Sequence, residues 1–140
     1  MPTSAETVLL DTSAAVALVV ADHHHHATTV AAVGDRRLGL ASHASFETFS
    51  VLTRLPPPLR RSPAAVRSII EADFPETRLL GKATAQALLG RLGDLGLGGG
   101  SVYDALVGAA AAEHGLALLT RDRRALPVYR ALAVEVELIP

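Results

Sequence analysis

The chain has 140 residues, enough for one domain with its own core, and 49% of them are hydrophobic against 19% charged. A mean hydropathy of +0.32 and a formal charge of -1 exclude a disordered chain and a protein that holds nucleic acid through bulk basic charge. There is no cysteine, so disulfides and thiolate chemistry are excluded, which suits a cytoplasmic protein.

No apolar run approaches the roughly 18 residues that a membrane helix needs. The opening Met1-Pro2-Thr3-Ser4-Ala5-Glu6 lacks the basic start of a secretory leader. Val8-Leu9-Leu10 reads as a short buried strand that runs directly into Asp11, Thr12 and Ser13, with a helix from Ser13 to Val20. Open α/β sheets gather functional groups at the carboxyl ends of their strands, so Asp11 stands where that architecture puts its chemistry. Asp22 and the run His23-His24-His25-His26 open a second helical stretch to Val33, which Gly34 ends. His23 and His26 are i,i+3 neighbours that could share a metal, but four polar residues at a helix start read first as a solvated turn.

Arg37 to Ala41 is the next strand, and Ser42 or Ser45 caps a helix running through Phe46, Glu47, Phe49, Val51 and Leu52 to Arg54. Taken alone, Glu47 is a glutamate that reaches for solvent unless a partner accompanies it into the interior. Pro56-Pro57-Pro58 breaks the chain, and Ser62-Pro63 starts a helix to about Ala72 that Phe74-Pro75 closes. Thr77 to Leu80 reads as a third strand and Thr84 to Leu92 as a helix. Gly93 to Gly100 holds five glycines but lacks the Lys-Ser/Thr ending of a phosphate-binding loop and follows no strand, so it reads as a flexible connector.

Ser101 caps a helix from Val102 to Glu113, with Asp104 in the first turn that the helix dipole favours, and His114-Gly115 stops it. Leu116 to Leu119 is a buried strand followed by Thr120, Arg121 and Asp122, which repeats the arrangement at Asp11. Ala133 to Ile139 alternates Val134 and Val136 with Glu135 and Glu137, as an edge strand does. The succession is that of an α/β fold, a mostly parallel sheet of four or five strands in three layers with helices on both faces.

Asp11 and Asp122 end apolar strands, while Glu47 and Asp104 sit near helix starts. In a parallel sheet those positions share one edge, so the four carboxylates can converge. Uncompensated, they would repel one another and raise their own pKa values. A divalent cation resolves this, and hard oxygen donors point to Mg²⁺ or Mn²⁺ and to phosphodiester hydrolysis.

At these positions the chain resembles a known family. Leu9-Leu10-Asp11-Thr12-Ser13-Ala14, Ala44-Ser45-Phe46-Glu47, Tyr103-Asp104-Ala105-Leu106 and Leu118-Leu119-Thr120-Arg121-Asp122-Arg123 are similar to the four acidic motifs of PIN domains. More narrowly they look like those of VapC toxins from bacterial toxin–antitoxin pairs. The resemblance spans essentially the whole chain, as a single PIN domain over 1–140. It implies a metal-dependent endoribonuclease in which Asp11, Glu47, Asp104 and Asp122 hold one or two Mg²⁺ or Mn²⁺ ions, directly or through water, and a metal-bound water attacks phosphorus. The implied products carry 5′-phosphate and 3′-hydroxyl ends. Ser13 and Thr120 match the family's small hydroxyls beside the metal. The resemblance also implies a cytoplasmic homodimer, no membrane, a small VapB-type antitoxin whose C-terminal segment occupies the cleft, and a structured RNA substrate such as tRNA or ribosomal RNA.

Arg123-Arg124-Ala125-Leu126-Pro127 departs from the family, which has an aromatic soon after the fourth acid. Arg54, Arg60, Arg61, Arg121, Arg123 and Arg124 are candidates for RNA-phosphate contacts, which supply affinity rather than sequence choice. His43, one turn before Glu47, reads as a surface residue near the site. The alternative is a catalytically silent PIN-fold binding module that acts only with its antitoxin in a DNA-bound repressor complex; the complete set of acids weighs against it. A haloacid-type phosphatase would want Asp-x-Asp where Asp11-Thr12-Ser13 stands, and a receiver domain would want a lysine on a late strand, where Lys82 is not. Asparagine at Asp11 or at Asp104 is expected to abolish cleavage and leave the fold intact or more stable, through relief of repulsion. The metal-free protein is expected to stay folded on its core.

Overall fold

Strands that are apolar on both sides must be covered on both sides, and this dictates the architecture. The structure is a computed structural model that describes residues 6–140; the residues read for a leader lie outside the described residues, apart from Glu6. The strands are β1 (Thr7–Leu10), β2 (Arg37–Leu40), β3 (Ala117–Thr120) and β4 (Val136–Leu138), in the order β2-β1-β3-β4 and parallel throughout. The helices are α1 (Thr12–Val19), α2 (His26–Val33), α3 (His43–Thr53), α4 (Pro63–Asp73), α5 (Lys82–Arg91), α6 (Ser101–His114) and α7 (Leu126–Ala131), with a 3₁₀ turn at Arg123–Ala125.

The period-two alternation of strand side chains divides the core. Val8, Leu10, Ala117 and Leu119 pack with Ala14 and Ala15 of α1, Val33 of α2 and Phe74. Leu9 and Leu118 face the other way, onto Ala105, Ala109 and Ala110 of α6 and Val128 and Tyr129 of α7. Small residues on α6 let α7 lie close to that helix: a Cβ on Gly108 would come 3.1 Å from side-chain atoms of both Leu132 and Tyr129. The three-layer parallel fold expected from the sequence is therefore the one observed, with four strands.

Several local expectations are corrected. Thr77 to Leu80 is not a strand. The chain from Glu76 to Arg78 runs beside β2, with Glu76 N–H donating to Leu38 O at 3.0 Å and Arg78 N–H to Leu40 O at 3.0 Å. The Thr77 hydroxyl takes the Leu40 N–H at 3.0 Å, where a ladder would use a backbone carbonyl, so only one bridge, Ala41 with Arg78, is regular. The last strand is three residues long, because Val134 belongs to the turn after α7, where its N–H donates to Tyr129 O at 3.1 Å. Helix α2 starts at His26: the His25 N–H bonds the His23 ring at 3.1 Å and closes a turn ahead of it. Ser42 occupies the N-cap position of α3, as expected, but at φ 45° its side chain makes no capping bond, and Ser45 lies inside the helix. Ser101 is likewise the first helical residue, and its hydroxyl donates to Gly98 O at 2.7 Å. The glycine-rich segment is tied down rather than free, because Leu92, Leu95 and Leu97 pack against the core on the α6 side.

The close passage of Glu76 over β2 explains Gly39. A Cβ there would lie 2.1 Å from the Glu76 carbonyl oxygen and 2.6 Å from the Thr77 nitrogen, and backbone cannot yield as a side-chain tip can. Gly39→Ala gains less than about 1 kcal/mol from a stiffer unfolded chain. Overpacking against backbone costs up to about 3 kcal/mol and wins. A clear fall in urea midpoint is expected; an unchanged midpoint would contradict the contact.

Candidate active site

Asp11 follows the last residue of β1 and is the N-cap of α1, accepting the Ala14 N–H on Oδ1 at 3.1 Å. The same oxygen accepts the Ser13 hydroxyl at 2.6 Å, while Oδ2 accepts the Tyr129 hydroxyl at 2.8 Å and the Thr120 hydroxyl. An ionised carboxylate offers about four acceptor positions, and here all are engaged. Both small hydroxyls also brace the turn after β3: Arg121 N–H donates to Ser13 Oγ at 2.9 Å, and Asp122 N–H to Thr120 Oγ1 at 3.0 Å. The ends of β1 and β3 are thus tied together through Asp11. Burial pushes the Asp11 carboxyl above its ordinary range, and the bonds from Ser13, Thr120, Tyr129 and Ala14 pull it partly back. Burial and the neighbouring Asp11 also raise the Tyr129 hydroxyl, which stays protonated as the donor.

Asp11, Glu47, Asp104 and Asp122 line one cleft of about 310 Å³. They arrive from β1, α3, α6 and the end of β3, all at the carboxyl edge of the sheet. The helix dipole in the first turn of α6 should lower the Asp104 carboxyl. It is raised instead, by partial burial first and then by Asp122, Asp11 and Glu47, with Arg124 opposing. Burial and the other three acids together set the direction. Asp122 is the one with a cationic neighbour: it caps the 3₁₀ turn through Arg124 N–H at 3.0 Å and accepts Arg124 Nε at 3.2 Å. Glu47 is exposed, with His43 Nε2 4.0 Å from its carboxylate.

The arginines divide. Arg121 and Arg124 line the cleft, and Arg121 Nε is buried there without a hydrogen-bond partner. Arg54 stands on a neighbouring groove that shares Glu47 with the cleft. Arg60 and Arg61 are turned to their own loop, donating to Leu55 O at 2.9 Å and Leu59 O at 3.0 Å, and Arg123 is exposed. Of the histidine run, His23 lines the cleft, and its ring is held below its ordinary pKa by burial first and then by Arg121. His26 bonds Ala17 O at 2.9 Å, so the pair does not converge on a shared metal. His43 is half-exposed and stacks on Tyr103, with ring centroids 4.9 Å apart.

Tyr129 is the participant that the sequence reading missed. It lies on α7, past the arginine-rich stretch where an aromatic was sought and not found. The one available signal was Leu126-Pro127, a proline at a helix start that brings an aromatic back toward the strand ends.

The PIN domain family profile matches residues 8–131. The chain belongs to the PIN-domain family. Ribonuclease VapC40 of Mycobacterium tuberculosis is 45% identical to it over 107 residues, spanning 75% of this chain and 79% of the relative. Ribonuclease VapC27 of the same species is 43% identical over 127 residues, spanning 91% and 93%. This is thus a VapC-type PIN domain, as its four acidic motifs imply. The fold recurs in VapBC2 from Rickettsia felis, solved bound to a DNA fragment from their promoter, with a TM-score of 0.67 and 13% identity over 94% of this chain and 98% of that one. FitAcB from Neisseria gonorrhoeae matches with a TM-score of 0.65 and 17% identity over 92% and 95%. No helix among the described residues is long and apolar enough to cross a membrane.

Proposed function

We propose that this PIN domain, one domain over residues 1–140, is a metal-dependent endoribonuclease and the cytoplasmic toxin of a toxin–antitoxin pair. The observation that carries the reading is the arrival of four carboxylates from four separate elements in one cleft. The relatives named as ribonucleases support the activity, and the VapBC and FitAB complexes of like fold support a small VapB-type antitoxin. A homodimer is the expected state of the free toxin.

The donor set fits a hard divalent cation such as Mg²⁺ or Mn²⁺. It is all oxygen, and Asp104 is raised by burial first and then by neighbouring acids that a cation would screen. Among the described residues no three His, Asp or Glu side chains close into a metal cage. Mg²⁺ keeps several waters and needs only one or two carboxylates. Asp104 and Glu47 would take it, Asp122 would exchange Arg124 for it, and Asp11, whose acceptor positions are filled, would reach it only by releasing one of its hydroxyl donors. When bound, the cation supplies an activated water and offsets charge on the leaving 3′-oxygen. The chain's own part is to hold Asp11 rigid through Ser13, Thr120 and Tyr129, and to offer Arg121 and Arg124 to phosphate oxygens.

The test is incubation of total RNA with purified protein in Mg²⁺, in Mn²⁺ and in chelator, beside Asp104→Asn. Discrete fragments that need metal and vanish in the variant are expected, and their ends identify the target, tRNA or ribosomal RNA. Absence of cleavage by the folded protein in either metal would overturn the reading in favour of a silent partner of the antitoxin. In the same chelator the far-ultraviolet circular dichroism should be unchanged, because both core faces are formed by side chains alone. Loss of helix signal would show that the metal is structural.

A further inference from the structure

Beside the acid cleft lies a second groove of about 450 Å³, formed by His43, Phe46, Glu47, Ser50 and Arg54 along one face of α3 and by Tyr103 of α6. Glu47 and Tyr103 line both spaces, so the groove is a continuation of the cleft. The chain has only three phenylalanines and two tyrosines. Phe74 and Tyr129 are buried at 1% exposure, whereas Phe46 and Tyr103 are 68% and 52% exposed, and both stand in this groove. His43 stacks beneath Tyr103 at an interplanar angle of 25°, which fixes that ring.

From these observations we infer that the groove is a nucleobase subsite. Phe46 and Tyr103 stack the unpaired base next to the phosphate that Arg121 and Arg124 meet in the acid cleft, and Arg54 meets the following phosphate. The inference rests on the ribonuclease reading above and adds to it the side chains that receive the base beside the cut. Along the α3 axis, Glu47 and Arg54 are separated by about 10 Å at the helical rise, so a strand leaving the acids crosses the rings before it reaches the guanidinium. Aromatic faces accept any base, and Ser50 and Glu47 offer hydroxyl and carboxylate groups to its edge. A paired base cannot turn onto such rings without leaving its stack, which directs cleavage to loops and ends.

A protein partner suits the groove less well. Two rings bring at most about 150–250 Å² each, far from the roughly 800 Å² per side of a stable interface, and His43, Glu47 and Arg54 around them are ionisable.

The test uses short single-stranded RNA carrying 2-aminopurine, whose fluorescence is quenched on stacking, titrated with the full protein in chelator. Quenching by the wild type is expected, with binding about tenfold weaker in Phe46→Leu and in Tyr103→Leu and retained in Phe46→Trp. Light scattering on the same samples should give one mass for all. Quenching that is absent, or unchanged in both leucine variants, overturns the subsite. So does a change of mass in Phe46→Leu, which would assign the face to a contact between copies. Ring-dependent quenching without cleavage in any metal would leave the subsite standing and remove the ribonuclease reading. Metal-dependent cleavage without ring-dependent quenching would do the reverse.

Discussion

Asp11→Ala should remove cleavage and also destabilise the fold by about 2–4 kcal/mol. Three losses combine. The α1 helix loses its N-cap, worth about 1 kcal/mol. The buried Thr120 and Tyr129 hydroxyls lose their common acceptor, at about 1–3 kcal/mol for each buried donor left unmade. The tie between β1 and the turn after β3, made through Ser13 and Thr120, loses its centre. One effect opposes these: a carboxylate that burial has pushed upward in pKa no longer has to be ionised inside the protein. That gain is limited, because four donors already compensate the charge. Asp11→Asn separates the two roles. Its amide can still cap α1, and hydroxyls can turn from donor to acceptor, so most of the stability should remain while cleavage does not. Tyr129→Phe deletes one donor and should fall between wild type and alanine in urea midpoint. Equal midpoints for wild type and Asp11→Ala would show that the bonds around Asp11 carry no net stability.

The repulsion argument, which the sequence applies to both aspartates alike, therefore transfers to Asp104 and not to Asp11. What separates them is invisible in a linear reading. Each acid is found locally, because an apolar run ending in Asp or a helix start carrying Asp or Glu is a short-range pattern, and parallel topology then sends all four to one edge. Two of the four donors around Asp11 come from Thr120 and Tyr129, more than a hundred residues away, and only the folded chain reveals them. The same limit accounts for Thr77, whose hydroxyl replaces a ladder carbonyl for Leu40 and turns an expected strand into a braced edge. It accounts for Gly93 to Gly100 too, where glycine content implies freedom but the two leucines between the glycines, Leu95 and Leu97, are anchored in the core. His23 differs, because its ring accepts the His25 N–H only two residues on, a local turn that delays α2 to His26. Composition and periodicity place most strands and helices, though not the edge at Thr77 to Leu80 or the helix α7; which side chain receives which donor depends on distances that only packing sets.

Asp104→Asn should reduce cleavage below about one hundredth of wild type while making the metal-free protein more stable at neutral pH. The sign follows from linkage. The carboxyl of Asp104 is raised above its ordinary value of 3.8, by partial burial and then by Asp122, Asp11 and Glu47. A group raised in the folded state binds protons more tightly there than in the unfolded chain. Its stabilising contribution is complete below the unfolded value and is lost as pH rises through the folded one. At neutral pH the wild type carries that unfavourable ionisation and the isosteric amide does not. The stability gap in favour of Asp104→Asn should thus be widest near neutrality and close as pH falls toward 3.8. Mg²⁺ should invert the order. A ligand that binds only the folded state at one hundred times its dissociation constant adds about 2.7 kcal/mol, and the variant, lacking one carboxylate, would capture less of it. Melting temperatures of both proteins across pH, with chelator and then with Mg²⁺, test this directly. A gap that does not vary with pH would mean that Asp104 does not sense its neighbours. A gap that Mg²⁺ fails to reverse would mean that Asp104 holds no cation, and any loss of cleavage would then belong to a different role at the same edge.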